Sequence, residues 1–429
     1  MGRLSDLPDA LLLKILALMP TKAAVDTMVL SKRWQFLWKL VPRLEYDDSM
    51  YQDGGDWRFL RYMYSSLLLH EAPVLESFSV KLGQKSGAVD IGACVTPAVN
   101  RSVRELIIEI DRSSYSTTPA ILPRSLYTGC RMLVNLKLNN AVFVDASSSA
   151  VSFPSLKTLT LLSMKYPGDE FICKFLSGCP VLEDLFVLQC CGDNVGVLVV
   201  RVPSLRKLGV RKVSIEEYAQ GLVINTPSLE FLDIIDQTDG FCAVESSMPK
   251  IAEAHLNVTY ADTQQLLGSL TSAFQLSVCL ETSMDPCSDG KIFSQLDQLK
   301  LCTCDMGWMD LLMRLLKHTP KLTLIVLEET HGMDLEAPRP CWNEPSRVPE
   351  CLSSSLEMFC WRQYGGSKDE RKLATFILRN SAHLEIATFN SKSTDPVERL
   401  RMLTELSMSP RRSSTCTLQF LGKYKKTRV

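Results

Sequence analysis

The chain has 429 residues, enough for several ordinary domains or one elongated repeat domain, so size does not prevent a sizeable core. Its 46% hydrophobic and 22% charged content is ordinary for a globular protein and excludes a largely disordered or collagen-like chain. The 47 basic and 48 acidic side chains leave a formal charge of −1, which removes the positive field that a phosphate backbone attracts, and nucleic acid is not expected as a partner.

At the N-terminus the apolar stretch from Leu11 to Met19 is broken by Lys14 and preceded by Asp6 and Asp9, which is wrong for a secretory signal. No apolar run reaches the ~18 residues of a spanning helix, and no membrane association is expected. The 15 cysteines lack the dense spacing of a disulfide scaffold and read as reduced thiols, which places the chain in the cytoplasm, the nucleus or both.

Helical periodicity divides the first forty-odd residues into three short amphipathic helices. Asp6 and Pro8 open the first, whose apolar residues form two adjacent stripes: Leu11, Ile15 and Leu18, and beside them Leu12, Leu16 and Met19. Thr21 is expected to cap the second, with Val25, Met28 and Val29. Ser31 is expected to cap the third, with Trp34, Leu37, Trp38 and Val41. So small a module cannot bury all this surface by itself, and no Cys or His precedes His70 to staple it with a disulfide or a metal. The surplus implies a protein partner.

The segments LPDALLLKIL, PTKAAV and VLSKRWQFLW have the order and spacing of an F-box, which the module resembles. The resemblance implies docking on the Skp-type adaptor of a Skp–cullin–F-box ubiquitin ligase. Carried over residue by residue, it puts Leu7, Pro8, Leu11, Ile15, Leu16, Val29, Leu30, Ser31 and Trp34 at or near the contact, with Trp38 alongside. For any single Leu or Val, a place in the module's own core is the simpler reading. The argument rests on the ensemble, with Trp34 the type of aromatic anchor expected at an interface centre.

Further along, an apolar residue followed by two more at +3 and +5 recurs many times. The clearest copies begin at Leu133, Leu156, Leu182, Leu205, Leu229 and Ile251, spaced 22 to 26 residues apart, within the 20–29 of a leucine-rich repeat. Others begin at Leu75, Leu296 and, more weakly, Leu322, and FQLSVCL is expected to hide one more strand. Each copy predicts a short strand with one buried face, joined by a returning arc. In GDEFICKFLSGCP that arc is a helix burying Phe171, Phe175 and Leu176 and stopped by Gly178 and Pro180. The pattern resembles the leucine-rich repeats that follow plant F-boxes. It departs at +8, where the turn-fixing Asn or Cys is met by Cys190 and Cys304 but replaced by Met164, Val213 and Gln237.

Strand alternation assigns the residues between the buried positions to the opposite, expectedly concave, face. There Phe186, Leu188, Phe231 and Ile235 are apolar where a solvated face would be polar, flanked by Asp184, Lys207, Arg211 and Asp233. These eight form a candidate substrate-recognition patch, unless neighbouring segments cover them as ordinary core.

After Leu327 four prolines interrupt the periodicity. A strand (SSLEMFCWRQYGG), a helix (Asp369 to Arg379), a strand (SAHLEIATF), a helix opened by Asp395 and Pro396 and carrying Leu400 and Leu403, and a last strand (TCTLQFLG) follow. This order resembles the FBD domain of plant F-box proteins, carried here by Trp342, Pro345, Pro349, Leu352, Trp361, Tyr364, Gly365 and Leu384, among others.

No phosphate-cradling loop, nucleophile elbow, HExxH or dinucleotide fingerprint occurs, and no CxxC pair, so neither a catalytic residue nor a cofactor is assigned and no metal site is expected. The expected fold is α/β: a short three-helix F-box (4–44), a connector (45–71), an irregular leucine-rich-repeat α/β solenoid (72–327), a linker (328–341), an α/β FBD segment (342–421) and a basic tail (422–429). The expected function is the non-enzymatic substrate-recognition subunit of the ligase, reaching a cullin–RING assembly through the adaptor and holding a protein target on the repeats. The alternatives are a non-degradative scaffold or a small-ligand receptor using the repeat concavity.

Overall fold

The computed structural model describes residues 7–51, 56–83, 91–111, 120–144, 151–190, 193–213, 221–280, 290–330 and 342–421. The chain divides into two compact units, Met1–Leu205 with Lys212–Glu217, and Arg206–Arg211 with Tyr218–Val429.

The first unit opens with the helices Asp9–Leu16, Thr21–Asp26 and Trp34–Leu37, the latter two continued by 3-10 turns at Thr27–Val29 and Trp38–Leu40. Pro8, at φ −57°, precedes the first helix, and Asp9 supplies a carboxylate to its first turn, where the helix dipole favours negative charge. Asp6, expected as the cap, lies outside the described residues. Thr21 and Ser31 do not cap: the second helix starts after Pro20 and the third after Arg33, both without a side-chain cap. The Thr21 hydroxyl instead accepts from the Glu45 N–H at 2.7 Å. The chain returns past this helix as the strand Arg43–Asp47, whose part-buried N–H needs an acceptor.

That strand, within and just beyond the expected module, begins a parallel ladder. Its neighbours in order are Ser77–Leu82, Glu105–Ile110, Asn135–Asn139, Thr158–Leu162 and Asp184–Gln189. Register stacks like on like, Leu136 beside Leu159 and Leu159 beside Leu185. The buried set at 0–2% exposure is the +3/+5 set of the sequence pattern, and each such leucine removed from water contributes roughly 1.5–3 kcal/mol. Glu105–Ile110 repeats the pattern as Val103, Leu106 and Ile108, all buried. The expected connector contains the helix Asp56–Leu69.

Two of the turns after strands use a different residue from the one expected. Met164, at +8, is fully buried, while the +7 residues Asn140 and Ser163 take positive φ, 56° and 51°. Asparagine is one of the few residues besides glycine that populate that region, and the Asn140 Nδ2 donates across the ladder to the Ile110 carbonyl at 2.8 Å.

In the second unit the strands Phe231–Asp236, Glu253–Val258, Gln275–Leu280, Gln298–Cys302, Leu324–Glu328, Met358–Tyr364, Ile386–Ser391 and Thr417–Leu421 are successive parallel neighbours. FQLSVCL is therefore a strand, and the C-terminal segment extends the repeat ladder. The row Leu232, Ala254, Leu276, Leu299, Ile325, Phe359, Ala387 runs unbroken through its inner face. A smaller parallel pair joins Gly221–Asn225 to Phe241–Val244.

Larger residues fill the C-terminal end. Trp361 is fully buried and meets Trp308, Tyr364 and Phe389 with ring centroids 5.0–6.4 Å apart. The helix Lys368–Asn380 starts in a capping box of Ser367 and Glu370. Gly366, just before it, has φ +70°, and a Cβ there would meet Met402 Cγ at 2.8 Å. Asp395 caps the helix Pro396–Ser407, accepting from the Val397 N–H at 3.0 Å. On this helix Leu400 is 65% exposed, and Met402 and Leu406 are the buried residues.

Candidate functional site

In the N-terminal module Leu12, Leu16, Ala24, Trp34, Leu37, Trp38 and Val41 form one buried cluster, with Leu7, Ile15 and Val25 packed against it. Arg33 ties its ends together, donating from Nε to Asp9 Oδ1 at 2.8 Å and from Nη2 to the Leu7 carbonyl at 2.6 Å. With the core closed in this way, Leu11, Leu18, Met28, Val29, Leu30, Phe36 and Leu40 stand exposed, Val29 and Leu18 at 84% and Leu30 at 63%. Scattered apolar residues on a surface are normal, but seven in so short a module exceed what a solvated face needs.

The ten expected contact residues thus separate. Leu16, Trp34 and Trp38 are interior, so the expectation of Trp34 as a protruding anchor is corrected: its ring fills the space between helices too short to seal a core with aliphatic residues alone. Leu7 and Ile15 are half-buried. Pro8, Leu11, Val29, Leu30 and Ser31 are exposed. Phe36, not anticipated as a contact, is the exposed aromatic of the module at 58%, with the Lys39 ammonium 5.5 Å from its ring centroid.

The eight patch residues also separate. Asp184, Phe186 and Leu188 are half-buried in the first unit, across the ladder from Thr158, Thr160 and Leu162. Lys207, Arg211, Phe231, Asp233 and Ile235 belong to the second unit. There Arg211 Nη2 lies 3.2 Å from Asp233 Oδ2, and Phe231 meets His255 edge-on at 5.5 Å.

Asp233 and Ile235 form one side of a groove of about 460 Å³ on the outer sheet face, which continues over His255, Ser277, Lys300 and Val326 to Arg362. Two of its lining cations share one carboxylate: Glu328, 6% exposed, has Oε2 2.7 Å from Lys300 Nζ and 2.9 Å from Arg362 Nη1. At the end of the same face Cys302 Sγ lies 3.1 Å from Cys304 Sγ and 2.8 Å from Thr330 Oγ1, and Cys279 Sγ lies 3.3 Å from Cys304 Sγ. Hydrogen bonding from Cys279 and then Cys304 holds the Cys302 thiol well below the ordinary thiol range, against the effect of burial. The contacts with Cys302 and Cys304, reinforced by burial, push Cys279 up.

Three comparisons agree with this architecture. Residues 4–46 match the F-box domain, residues 93–275 match the leucine-rich repeats of the FBD-associated F-box protein At5g56370, and residues 344–389 match the FBD domain. The chain is 51% identical over 423 residues to the Probable FBD-associated F-box protein At1g32375 of Arabidopsis thaliana, covering 98% of this chain and all of that one. It belongs to the plant F-box/LRR/FBD family. The F-box/FBD/LRR-repeat protein At5g56420, also of Arabidopsis thaliana, is 45% identical over 425 residues, covering 97% of this chain and 98% of its own.

An F-box implies a Skp-type adaptor as partner in general, and a place in the ubiquitin ligase system. The exposed apolar side chains lie within the matched F-box residues.

Sequence reasoning missed the groove beyond Ile235 and the three-thiol cluster. The second depends on register: Val278 pairs with Leu301, which places Cys279 beside Cys302 on the next position. A search for two cysteines close in sequence does not find ligands that meet across a ladder.

Proposed function

We propose that this chain is the substrate-recognition subunit of a Skp–cullin–F-box ubiquitin ligase and performs no chemical step itself. The carrying observation is the run of exposed apolar side chains, Val29 and Leu30 foremost, over a module core already closed by Trp34 and Trp38. Docking on the Skp-type adaptor covers that surface and gains the transfer free energy the module cannot gain internally. Through the adaptor the chain reaches the cullin and its RING-bound conjugating enzyme. A target held on the outer sheet face then has its lysines at high local concentration near the thioester, so the rate gain is one of tethering. On this reading the chain acts in the cytoplasm or nucleus.

The test is reconstitution. Full-length chain is co-purified with a Skp-type adaptor, cullin and RING subunit, and proteins captured in native cells under proteasome inhibition are offered as substrates. Ubiquitin transfer that depends on the chain supports the reading; adaptor binding without transfer to any captured protein leaves a scaffold in its place, and no adaptor binding removes both. The groove volume lies in the range of small-molecule sites and favours one second reading, a receptor whose ligand completes the target surface. That reading requires target capture to depend on a dialysable compound.

A further inference from the structure

The thiols of Cys279, Cys302 and Cys304 come from two neighbouring strands and the turn beyond one of them, and converge at one end of the groove. All three sulfurs lie within 4.8 Å of one another. Their closest approaches, 3.1 and 3.3 Å, are far longer than the ~2.05 Å of a disulfide. Sulfurs around one ion with ~2.3 Å metal–sulfur bonds stand roughly 3.8–4.0 Å apart, so ligation requires the close pairs to separate by about 0.5–0.9 Å, inside the 4.8 Å that spans the three. Thiols are weak donors and weak acceptors, so three facing each other satisfy one another poorly, and a cation in their midst gives each a strong partner. No histidine or carboxylate belongs to the cluster among the described residues. An all-sulfur set selects soft d¹⁰ ions over magnesium, calcium or manganese.

Cys302 is buried, whereas Cys279 and Cys304 are half-buried, so the set has an open side toward the groove as well as a fixed base. Rigidity comes from the ladder. Val278 and Leu301 are register partners on adjacent parallel strands, and Cys279 and Cys302 occupy the next position of each.

We propose that Cys279, Cys302 and Cys304 constitute a three-thiolate site for one soft d¹⁰ metal ion, zinc(II) or copper(I), at the end of the sheet-face groove. Each thiol gives up its proton to the solvent on ligation, leaving a trigonal set to which an exogenous fourth donor adds from the groove. Such a donor, a water or a side chain of a bound protein, makes the site a point at which metal supply affects what the outer sheet face holds. The proposal does not depend on the ligase assignment.

The test uses the full-length chain co-purified with its adaptor and kept reduced under anaerobic conditions. Zinc(II) and copper(I) are titrated separately against chromogenic chelators, and cobalt(II) replaces zinc to give the sulfur-to-metal absorption band. One equivalent of one of the two ions and a thiolate charge-transfer band are expected. Cys279→Ser and Cys304→Ser, each checked for an unchanged circular dichroism spectrum, are expected to weaken affinity by at least about 100-fold, since each removes one of three ligands. Cys360→Ser, on an outer-face thiol outside the cluster, is expected to leave affinity as it was. Absence of a stoichiometric ion with all three thiols reduced, equal affinity in the serine variants, or a disulfide among the three under these conditions overturns the proposal. If Cys302→Ser does not fold, the two half-buried positions still decide the matter.

Discussion

The N-terminal module and the repeat sheet use apolar residues in opposite ways. In the ladder each inner-face leucine stands between two like neighbours and beneath an arc, and exposure falls to nearly zero at Leu159, Leu232 and Leu299. In the module the same residue type is divided between a closed core and an open surface, Leu16 at 0% and Leu30 at 63%. The difference teaches that burial within a repeat is guaranteed by periodic neighbours, whereas a module of three short helices meets the ladder along one side and has no repeating neighbour to cover the rest. Apolar residues in the ladder therefore act on stability, and those on the module surface are left available for association.

The largest expected effect breaks the module side of that contrast. Val29→Asp with Leu30→Asp is expected to lower adaptor affinity by about 100-fold or more while the melting temperature stays unchanged, as read by calorimetric titration and thermal melting. A large fall in melting temperature would show these residues to be core after all. On the ladder side, Leu299→Ala is expected to cost about 2–5 kcal/mol in urea unfolding through loss of contacts and the cavity left behind, with adaptor affinity unaffected.

Glu328→Gln sharpens the comparison within the sheet, because its outer face also carries charge. It leaves Lys300 and Arg362 without their shared carboxylate. The expected loss is about 1–3 kcal/mol, below the ~3–5 of a fully buried pair because both cations are more than a quarter exposed. Unchanged unfolding midpoints would place the pair in the class of inert surface contacts.

A smaller effect belongs to His70, buried in the first unit. Its Nε2 is 2.8 Å from the Val41 carbonyl and its Nδ1 is 2.6 Å from Arg101 Nη1, so the neutral ring donates to the first and accepts from the second. Burial, with Arg101 adding to it against the Val41 hydrogen bond, lowers its pKa from the ordinary 6.5. Above 6.5 the ring is neutral folded or unfolded. As pH falls below that, the unfolded chain takes the proton first, and the stability contributed is lost until the folded value is passed. The melting temperature is expected to fall from pH 6.5 toward 5 and to fall less in His70→Gln; equal acid limbs would remove the assignment. Smallest of all, Arg206→Ala removes an exposed pair with Glu230 at 2.8 Å and is expected to leave the urea unfolding midpoint nearly unchanged.

Much of the ladder was legible because strand alternation has period two and each copy repeats it at +3 and +5. Those offsets alone located the strands at Thr158–Leu162, Glu253–Val258 and Gln298–Cys302. Glu105–Ile110 carries the same offsets from Val103 without the Pro or Cys that often precedes a copy. The caps were misread because Thr21 and Ser31 have the residue type of a cap, while Thr21 bonds to a strand arriving from twenty-four positions further on.

By itself the sequence determined that the chain holds a small helical module with surplus apolar surface, followed by a parallel ladder of short strands. Both are consequences of local spacing. Only the tertiary structure decided which side of the module is closed, since the two stripes on its first helix are equally apolar and packing alone separates Leu12 and Leu16 from Leu11 and Leu18. It also decided that Cys279 meets Cys302 and Cys304. Contact across a ladder depends on register between strands, and register is fixed by the whole inner row of side chains acting together.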